Sequence, residues 1–298
     1  MTRGREGITT PMRRPLLACA CALGLLPAFG AAAACPSDEA VERLALGIVE
    51  NRPGEPLTGM TSLADGQCAQ DKLVPVLARQ FGRPVGYKVG LTNAGAQQRF
   101  GVPHPVTGTI YEATLRLRDG GEVPARFGAV PNVEADLLLR VRDEGINAAR
   151  THEEVLRHVD QVIPFIELPD LVMAPTKLDG PNLLAINVGA RLGVSGAPIP
   201  VRADSGFAAA LASMTVTISD NTGKELSRAP GTALLGHPLN VLPWLAEDLA
   251  KRGKKLQAGD MVSLGGFSPA LPAEAGRRYT VRYEGLAPQP VTVSVQVR

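Results

Sequence analysis

Between Val133 and Val141 the chain reads Val-Glu-Ala-Asp-Leu-Leu-Leu-Arg-Val, and this stretch restricts the fold more than any composition figure. As a strand it sends successive side chains to opposite faces, so Glu134 and Asp136 share one face, one pleat apart. The continuous Leu137-Leu138-Leu139 that follows marks a buried environment, where an unpaired carboxylate is costly. Glu167 repeats the situation within Pro164-Phe165-Ile166-Glu167-Leu168. The plain alternative for a Glu-x-Asp pair is the solvent face of an edge strand. If buried, three acids with no Cys or His in these runs suit a hard, oxygen-ligated cation, Mg²⁺ or Mn²⁺, rather than zinc.

A second segment, Gly86-Tyr87-Lys88-Val89-Gly90-Leu91-Thr92, sets one lysine between glycines that let the backbone approach a ligand closely. Val85, Tyr87, Val89 and Leu91 make it a strand running into the core, so Lys88 is either a surface turn lysine or a buried functional cation. A metal beside an ammonium is a device for holding an anionic, enolisable substrate. Asn187, inside Leu184-Ala185-Ile186-Asn187-Val188-Gly189, is either a satisfied core amide or a ligand contact. His104 and His237 fall in Pro-flanked loops with no partner at metal spacing, and His152 and His158 read as surface positions of a helix. No Gly-x-Ser-x-Gly, GxGxxG or P-loop occurs, which argues against a serine hydrolase elbow or a nucleotide enzyme.

The 298 residues carry a formal net charge of +2, and this balance leaves no electrostatic footprint for nucleic acid. The basic run Lys251-Arg252-Gly253-Lys254-Lys255 sits at a helix end, where cations favour the dipole. Residues 1–34 read as a signal peptide: Arg13 and Arg14, an apolar run from Leu16 to Phe29, then Gly30-Ala31-Ala32-Ala33-Ala34. Met12 could serve as the start, and the Arg-Arg pair fits a twin-arginine signal poorly. The expected location is periplasmic or secreted, with no stable membrane span once the signal is removed. Cys19 and Cys21 leave with it. Cys35 and Cys68 then form an even pair in an oxidising compartment, so a disulfide is the default, worth about 3–4 kcal/mol in the chain-entropy picture. The competing role for Cys35 is a lipoprotein acceptor.

Residues 35–298 read as a single α/β (α+β) domain, with a helical N-terminal layer over 36–82 and a β-rich, metal-binding core over 83–298. Ser37 caps a helix with Val41, Leu44, Ala45 and Ile48 on one stripe. After a polar loop carrying Cys68, the residues Leu73, Val76, Leu77 and Phe81 give a second helix. Strands are expected over Ile110–Arg118, Val133–Val141 and Met214–Ile218, and at the alternating Tyr279, Val281, Tyr283 and Val291, Val293, Val295, Val297. Thr151-x-x-Glu154 is a capping box for a helix running through Val155, Leu156, Val159, Val162 and Ile163. A last helix starts at Asn240 and stops at Gly253.

In this order along about 40–297, several motifs resemble the fumarylacetoacetate hydrolase superfamily, in its branch of 2-keto-4-pentenoate hydratases and 4-oxalocrotonate decarboxylases. They are Gly86–Thr92, Phe100-Gly101-Val102 with Pro105 and Gly108, Val133–Asp136, Pro164–Glu167, Gly236-His237-Pro238-Leu239-Asn240, Trp244-Leu245-Ala246 and Leu256–Asp260. The resemblance implies a distorted β-barrel or roll core with flanking helices. It implies Mg²⁺ or Mn²⁺ on Glu134, Asp136 and Glu167, with Lys88 at the catalytic lysine and in contact with substrate, and Asn187 as a further substrate contact. The implied activity is that of a metal-dependent hydratase-like lyase on a short 2-oxo or 2-hydroxydienoic acid, as in aromatic catabolism. A decarboxylase or acylpyruvate-type hydrolase, and an exported non-catalytic binder of a metal–carboxylate complex, are the alternatives. A homo-oligomer is expected. The chain departs from the family where Asp136 shortens the usual Glu-x-Glu, and where Ile186, Leu264-Gly265-Gly266 and Asp170-Leu171-Val172 replace more polar stretches.

Overall fold

A computed structural model describes residues 34–298, together with isolated positions 1, 2, 4 and 7. The proposed signal peptide, with Arg13, Arg14 and the Leu16–Phe29 run, lies outside the described residues. The fold opens with helices α1 (Asp38–Val49) and α2 (Leu63–Phe81), then β1 (Pro84–Gly90), α3 (Ala94–Phe100), β2 (Val106–Tyr111), β3 (Leu117–Arg118) and β4 (Gly121–Val123). The centre is β5 (Asn132–Val141), α4 (His152–Arg157) and β6 (Val159–Leu168). It is followed by α5 (Gly180–Ala185), β7 (Leu192–Ser195), β8 (Ile199–Pro200), α6 (Ser205–Ser213), β9 (Thr215–Asp220) and β10 (Glu225–Pro230). The chain finishes with α7 (Val241–Lys251), β11 (Met261–Ser263), β12 (Leu271–Pro272), β13 (Arg278–Glu284) and β14 (Val291–Val297). Among the described residues no helix is long and apolar enough to cross a membrane.

The strands form two sheets. One has nine strands along β2-β1-β11-β5-β6-β7-β3, with β12 on β5 and β8 on β6; the other has five, ordered β10-β9-β13-β14-β4. Two sheets with flanking helices make the expected mixed α/β fold, and among the described residues neither sheet closes into a full barrel. Alternation along β5 decides its layers. Val133, Ala135, Leu137, Leu139 and Val141 all enter the main core, which also takes Val281 and Tyr283 of β13 and Leu242, Leu245 and Leu249 of α7. Glu134, Asp136, Leu138 and Arg140 occupy the opposite face by the same period of two.

Three local expectations change. The capping box at Thr151 and Glu154 is present, but its helix ends at Arg157, and Val159–Leu168 is a strand antiparallel to β5 from Val141↔Val159 to Glu134↔Glu167. An apolar run that length satisfies either period, and the unfilled edge of β5 settles it in favour of a ladder. Cys68 lies inside α2 rather than in a loop, because a Ser62–Asp65 capping box starts that helix well before its apolar stripe: Ser62 N donates to Asp65 Oδ2 at 2.9 Å and Asp65 N to Ser62 Oγ at 3.2 Å. Cys35, just ahead of α1, is bonded to it, with the Cα atoms 5.5 Å apart. The strand expected over Ile110–Arg118 is interrupted by a 3₁₀ turn at Glu112–Leu115.

Candidate active site

β1 lies between β2 and β11, and its register puts Lys88 opposite Ser263 and Gly108. Gly108 leaves room for the lysine stem: a Cβ there would sit 3.0 Å from Lys88 Cγ. β11 in turn pairs Ser263 with Leu138, and β5 pairs Glu134 with Glu167 on β6. Three consecutive ladders, β1–β11, β11–β5 and β5–β6, therefore bring Lys88, Glu134, Asp136 and Glu167 onto one face, although Lys88 and Glu167 are far apart in the sequence.

Lys88 Nζ is in direct ion-pair contact with Glu167 Oε1, and both side chains are buried, 6% and 3% exposed. Burial pulls the Lys88 ammonium down, but attraction to Glu167, Glu134 and Asp136 and the hydrogen bond to Glu167 outweigh it, so its pKa ends above the ordinary lysine value. The lysine is thus a fixed cation and donor near neutral pH, not a base. Burial, reinforced by repulsion from Glu167, drives the half-buried Glu134 upward despite the pull of Lys88. Burial and the same repulsion push Asp136 up to about 7, against hydrogen bonds from Ser263 and the Leu137 amide.

Three of these groups, Asp136 excepted, meet a cavity of about 600 Å³. Lys88, Glu134 and Glu167 line it beside Thr92, and Arg99 from α3 stands at its wall, over the Phe100 ring at 5.3 Å. Leu91, Leu171, Leu183, Val188 and Phe267 make the rest largely apolar. Gly265 and Gly266 let the backbone come close: a Cβ on Gly266 would meet Glu134 Oε2 at 2.8 Å, and Gly265 holds a φ of +106°. Strain gathers here too, with Leu91 and Val188 in the left-handed region at φ 57° and 54°.

The expected residues do not all serve the cavity alike. Asp136, fully buried, is held behind it, accepting from Ser263 Oγ, from Gly265 N at 3.0 Å and from Leu137 N at 2.5 Å. Asn187 is a core amide: Thr109 N donates to its Oδ1 at 2.7 Å, its Nδ2 donates to Thr109 O at 2.9 Å, and Gln70 Nε2 reaches Oδ1 at 3.4 Å. The amide is thus engaged by β2 and by Gln70 of α2, and its neighbour Val188 lines the cavity instead. Ile186 and Leu264 are likewise buried in the two cores and only shape the wall from behind. Asp170 accepts backbone N–H groups from Ala129, Val130 and Val172, which makes it a loop anchor. His237 is not a bare loop histidine. It is buried, stacked on His152 with centroids 3.7 Å apart, and its ring bonds the Leu239 amide and the Ala208 carbonyl.

Ser263, Thr92 and Arg99 were not singled out from the sequence. Thr92 closes the glycine-lysine motif, so its position beside Lys88 was available as a signal; Ser263 and Arg99 carry none without the ladder and α3 in place. Among the described residues no three Asp, Glu, His or Cys side chains converge as a ready metal site. The donor chemistry nonetheless suits a hard divalent cation: Glu134 and Glu167 face the cavity, Asp136 stands behind them, and Glu167 Oε2 is buried without a partner.

No protein-family model matches the sequence. The chain is 30% identical over 241 residues to 2-keto-4-pentenoate hydratase 2 of Dechloromonas aromatica (strain RCB), covering 80% of this chain and 89% of that one. It superposes on 4-oxalocrotonate decarboxylase from Pseudomonas putida G7, solved with magnesium and adipate, with a TM-score of 0.75, 25% identity and coverage of 88% and 97%. Fumarylpyruvate hydrolase from Pseudomonas aeruginosa, solved with Mn²⁺ and pyruvate, shares the fold at a TM-score of 0.53 and 16% identity, with 72% and 90% covered.

Proposed function

The chain belongs to the 2-keto-4-pentenoate hydratase and 4-oxalocrotonate decarboxylase branch of the fumarylacetoacetate hydrolase superfamily, and on that premise we propose that it is a divalent-metal-dependent lyase adding water to a short, unsaturated 2-oxo acid. The observation that carries this reading is the buried Lys88–Glu167 ion pair on the wall of an otherwise mostly apolar cavity, with a second acid, Glu134, beside it. Glu134 and Glu167, which face the cavity, would hold the cation, Mg²⁺ or Mn²⁺, with Asp136 behind them as the third acid. Once bound, that ion would polarise the substrate's carboxylate and carbonyl oxygens. Lys88, kept protonated by its three acids, donates toward the oxygen that gains charge as the enolate forms. Glu167 holds the ammonium in place, and the apolar wall of Leu91, Leu171, Leu183 and Phe267 excludes bulk water, which strengthens both interactions. Arg99 gives the cavity a second cation, suited to an anionic ligand.

The superposition on a decarboxylase supports a second reading, in which the same stabilised enolate follows loss of CO₂ rather than precedes hydration. The Cys35–Cys68 bond supports placing the chain in the periplasm or outside the cell. An assay with Mg²⁺ that follows loss of the dienol ultraviolet absorbance, with CO₂ measured in parallel, separates the readings. Absorbance loss without gas is the expected result. Gas release selects the decarboxylase, and no change with either Mg²⁺ or Mn²⁺ leaves only a binding protein.

A further inference from the structure

Among the described residues two buried side-chain polar atoms lack a hydrogen-bond partner, Glu167 Oε2 and Thr92 Oγ1. Both line the same cavity. Glu167 is accounted for by the cation site; Thr92 is not. The residue is 1% exposed. Its hydroxyl packs so tightly on Gly265 that a Cβ there would lie 2.3 Å from Oγ1. Gly265 is the residue whose amide donates to Asp136, so the hydroxyl sits at the acid corner of the cavity and not at its apolar end. The backbone holds it there: Leu91 before it adopts a φ of 57°, and the Thr92 carbonyl accepts from Leu235 N at 2.9 Å. A threonine hydroxyl that is buried with nothing to bond carries its full desolvation penalty, whereas valine would fill the same space without one. A strained turn that fixes such a group beside a lysine and two carboxylates makes sense when a ligand completes the bond.

We propose that Thr92 is a substrate-binding residue whose hydroxyl donates to an oxygen of the bound 2-oxo carboxylate, next to Lys88. This inference rests on the function proposed above, because it takes its ligand from it.

The test uses the full mature chain with Mg²⁺ and oxalate as the probe, read by titration calorimetry and by thermal melting of the unliganded protein. Thr92→Val is expected to weaken oxalate binding by about tenfold or more, the range for losing a hydrogen bond to a charged group. Its melting temperature should match or exceed that of the unaltered protein, because the orphaned hydroxyl is gone. Thr92→Ser, which keeps the donor, should bind within about threefold of the original, well below the loss from a missing charged hydrogen bond. Unchanged oxalate affinity in Thr92→Val overturns the proposal while leaving the parent function standing. So does a Thr92→Val protein that melts several degrees lower, since the hydroxyl would then be holding the fold. If the unaltered chain takes up no oxalate, the parent function fails and this inference falls with it.

Discussion

The two ends of the β5–β6 ladder use the same face of the same strands and treat charge in opposite ways. At one end Glu134 stands directly across from Glu167, a like-charge pair that costs stability in any sheet, with Asp136 one pleat further in. Their compensation is one ammonium from a distant strand. At the other end Arg140 stands across from Gln161 and grips Asp160 with two bonds, 2.8 Å from Nε and 2.6 Å from Nη2. There the charges are complementary, local and partly in water, with side chains 42% and 28% exposed. Between them lies an apolar patch of Leu138, Ile163 and Phe165 that separates the two settings. A sheet that can pair its charges cheaply at one end leaves them crowded and under-compensated at the other, and that contrast marks out the candidate site.

The contrast can be broken most severely at Lys88. Lys88→Met should lower turnover by about 10²–10³-fold, the usual effect of deleting a donor to a developing oxyanion. It should also cost about 3–5 kcal/mol in urea unfolding, because Glu167 is left buried without its partner. The double variant Lys88→Met, Glu167→Gln should recover most of that stability and none of the activity. Turnover within a few-fold of the original in Lys88→Met would remove Lys88 from the mechanism. Next in size, Glu134→Gln should abolish most Mn²⁺ uptake in equilibrium dialysis while raising the melting temperature of the metal-free protein, since it relieves the repulsion across the ladder. A lower melting temperature would mean that the acid pair is not under strain.

The two ends should also respond to pH with opposite signs. Asp136 is raised to about 7 from an ordinary 3.8, so the folded state favours its protonated form. Its contribution is fully present below pH 3.8 and is lost as pH rises toward about 7. The metal-free protein should therefore melt at progressively lower temperature across that window, and Asp136→Asn should flatten the trend. Asp160 is held below its ordinary value chiefly by the Arg140 hydrogen bond, so its contribution is present above pH 3.8 and disappears on acidification. The smallest effect belongs to Arg140→Gln, which should cost no more than about 1 kcal/mol, since the pair is partly exposed. It should leave activity untouched and weaken only the acid limb of the melting curve. Any change in kcat there would mean that the two ends communicate across the apolar patch.

Much of this was legible from residues alone. The alternation in Val133–Val141 fixed which face carries Glu134 and Asp136, and the flanking leucines already implied burial. Ser37 and Thr151 marked helix starts correctly, because capping is a contact over three residues. The errors arose where a local pattern fitted two answers. Val159–Ile163 suits a helical stripe as well as a buried strand, and only the open edge of β5 chose. Asn187 was equally ambiguous: a polar residue in an apolar run looks the same whether it faces a ligand or the backbone of β2.

By itself, then, the sequence determined periodicities, caps and the kinds of side chain available: hard oxygen donors, one motif lysine, a family order. Whether those groups form a site is a matter of register between strands far apart in the chain. The β1–β11–β5–β6 ladders set Lys88 on Glu167, put Ser263 and Gly265 on Asp136, and left Thr92 facing the cavity without a partner. Local preferences cannot encode that choice, because a slip of one residue keeps every strand intact and reverses which side chains meet. Packing of the opposite face against the main core forbids the slip, so the hydrophobic side of β5 decides the chemistry of its acidic side.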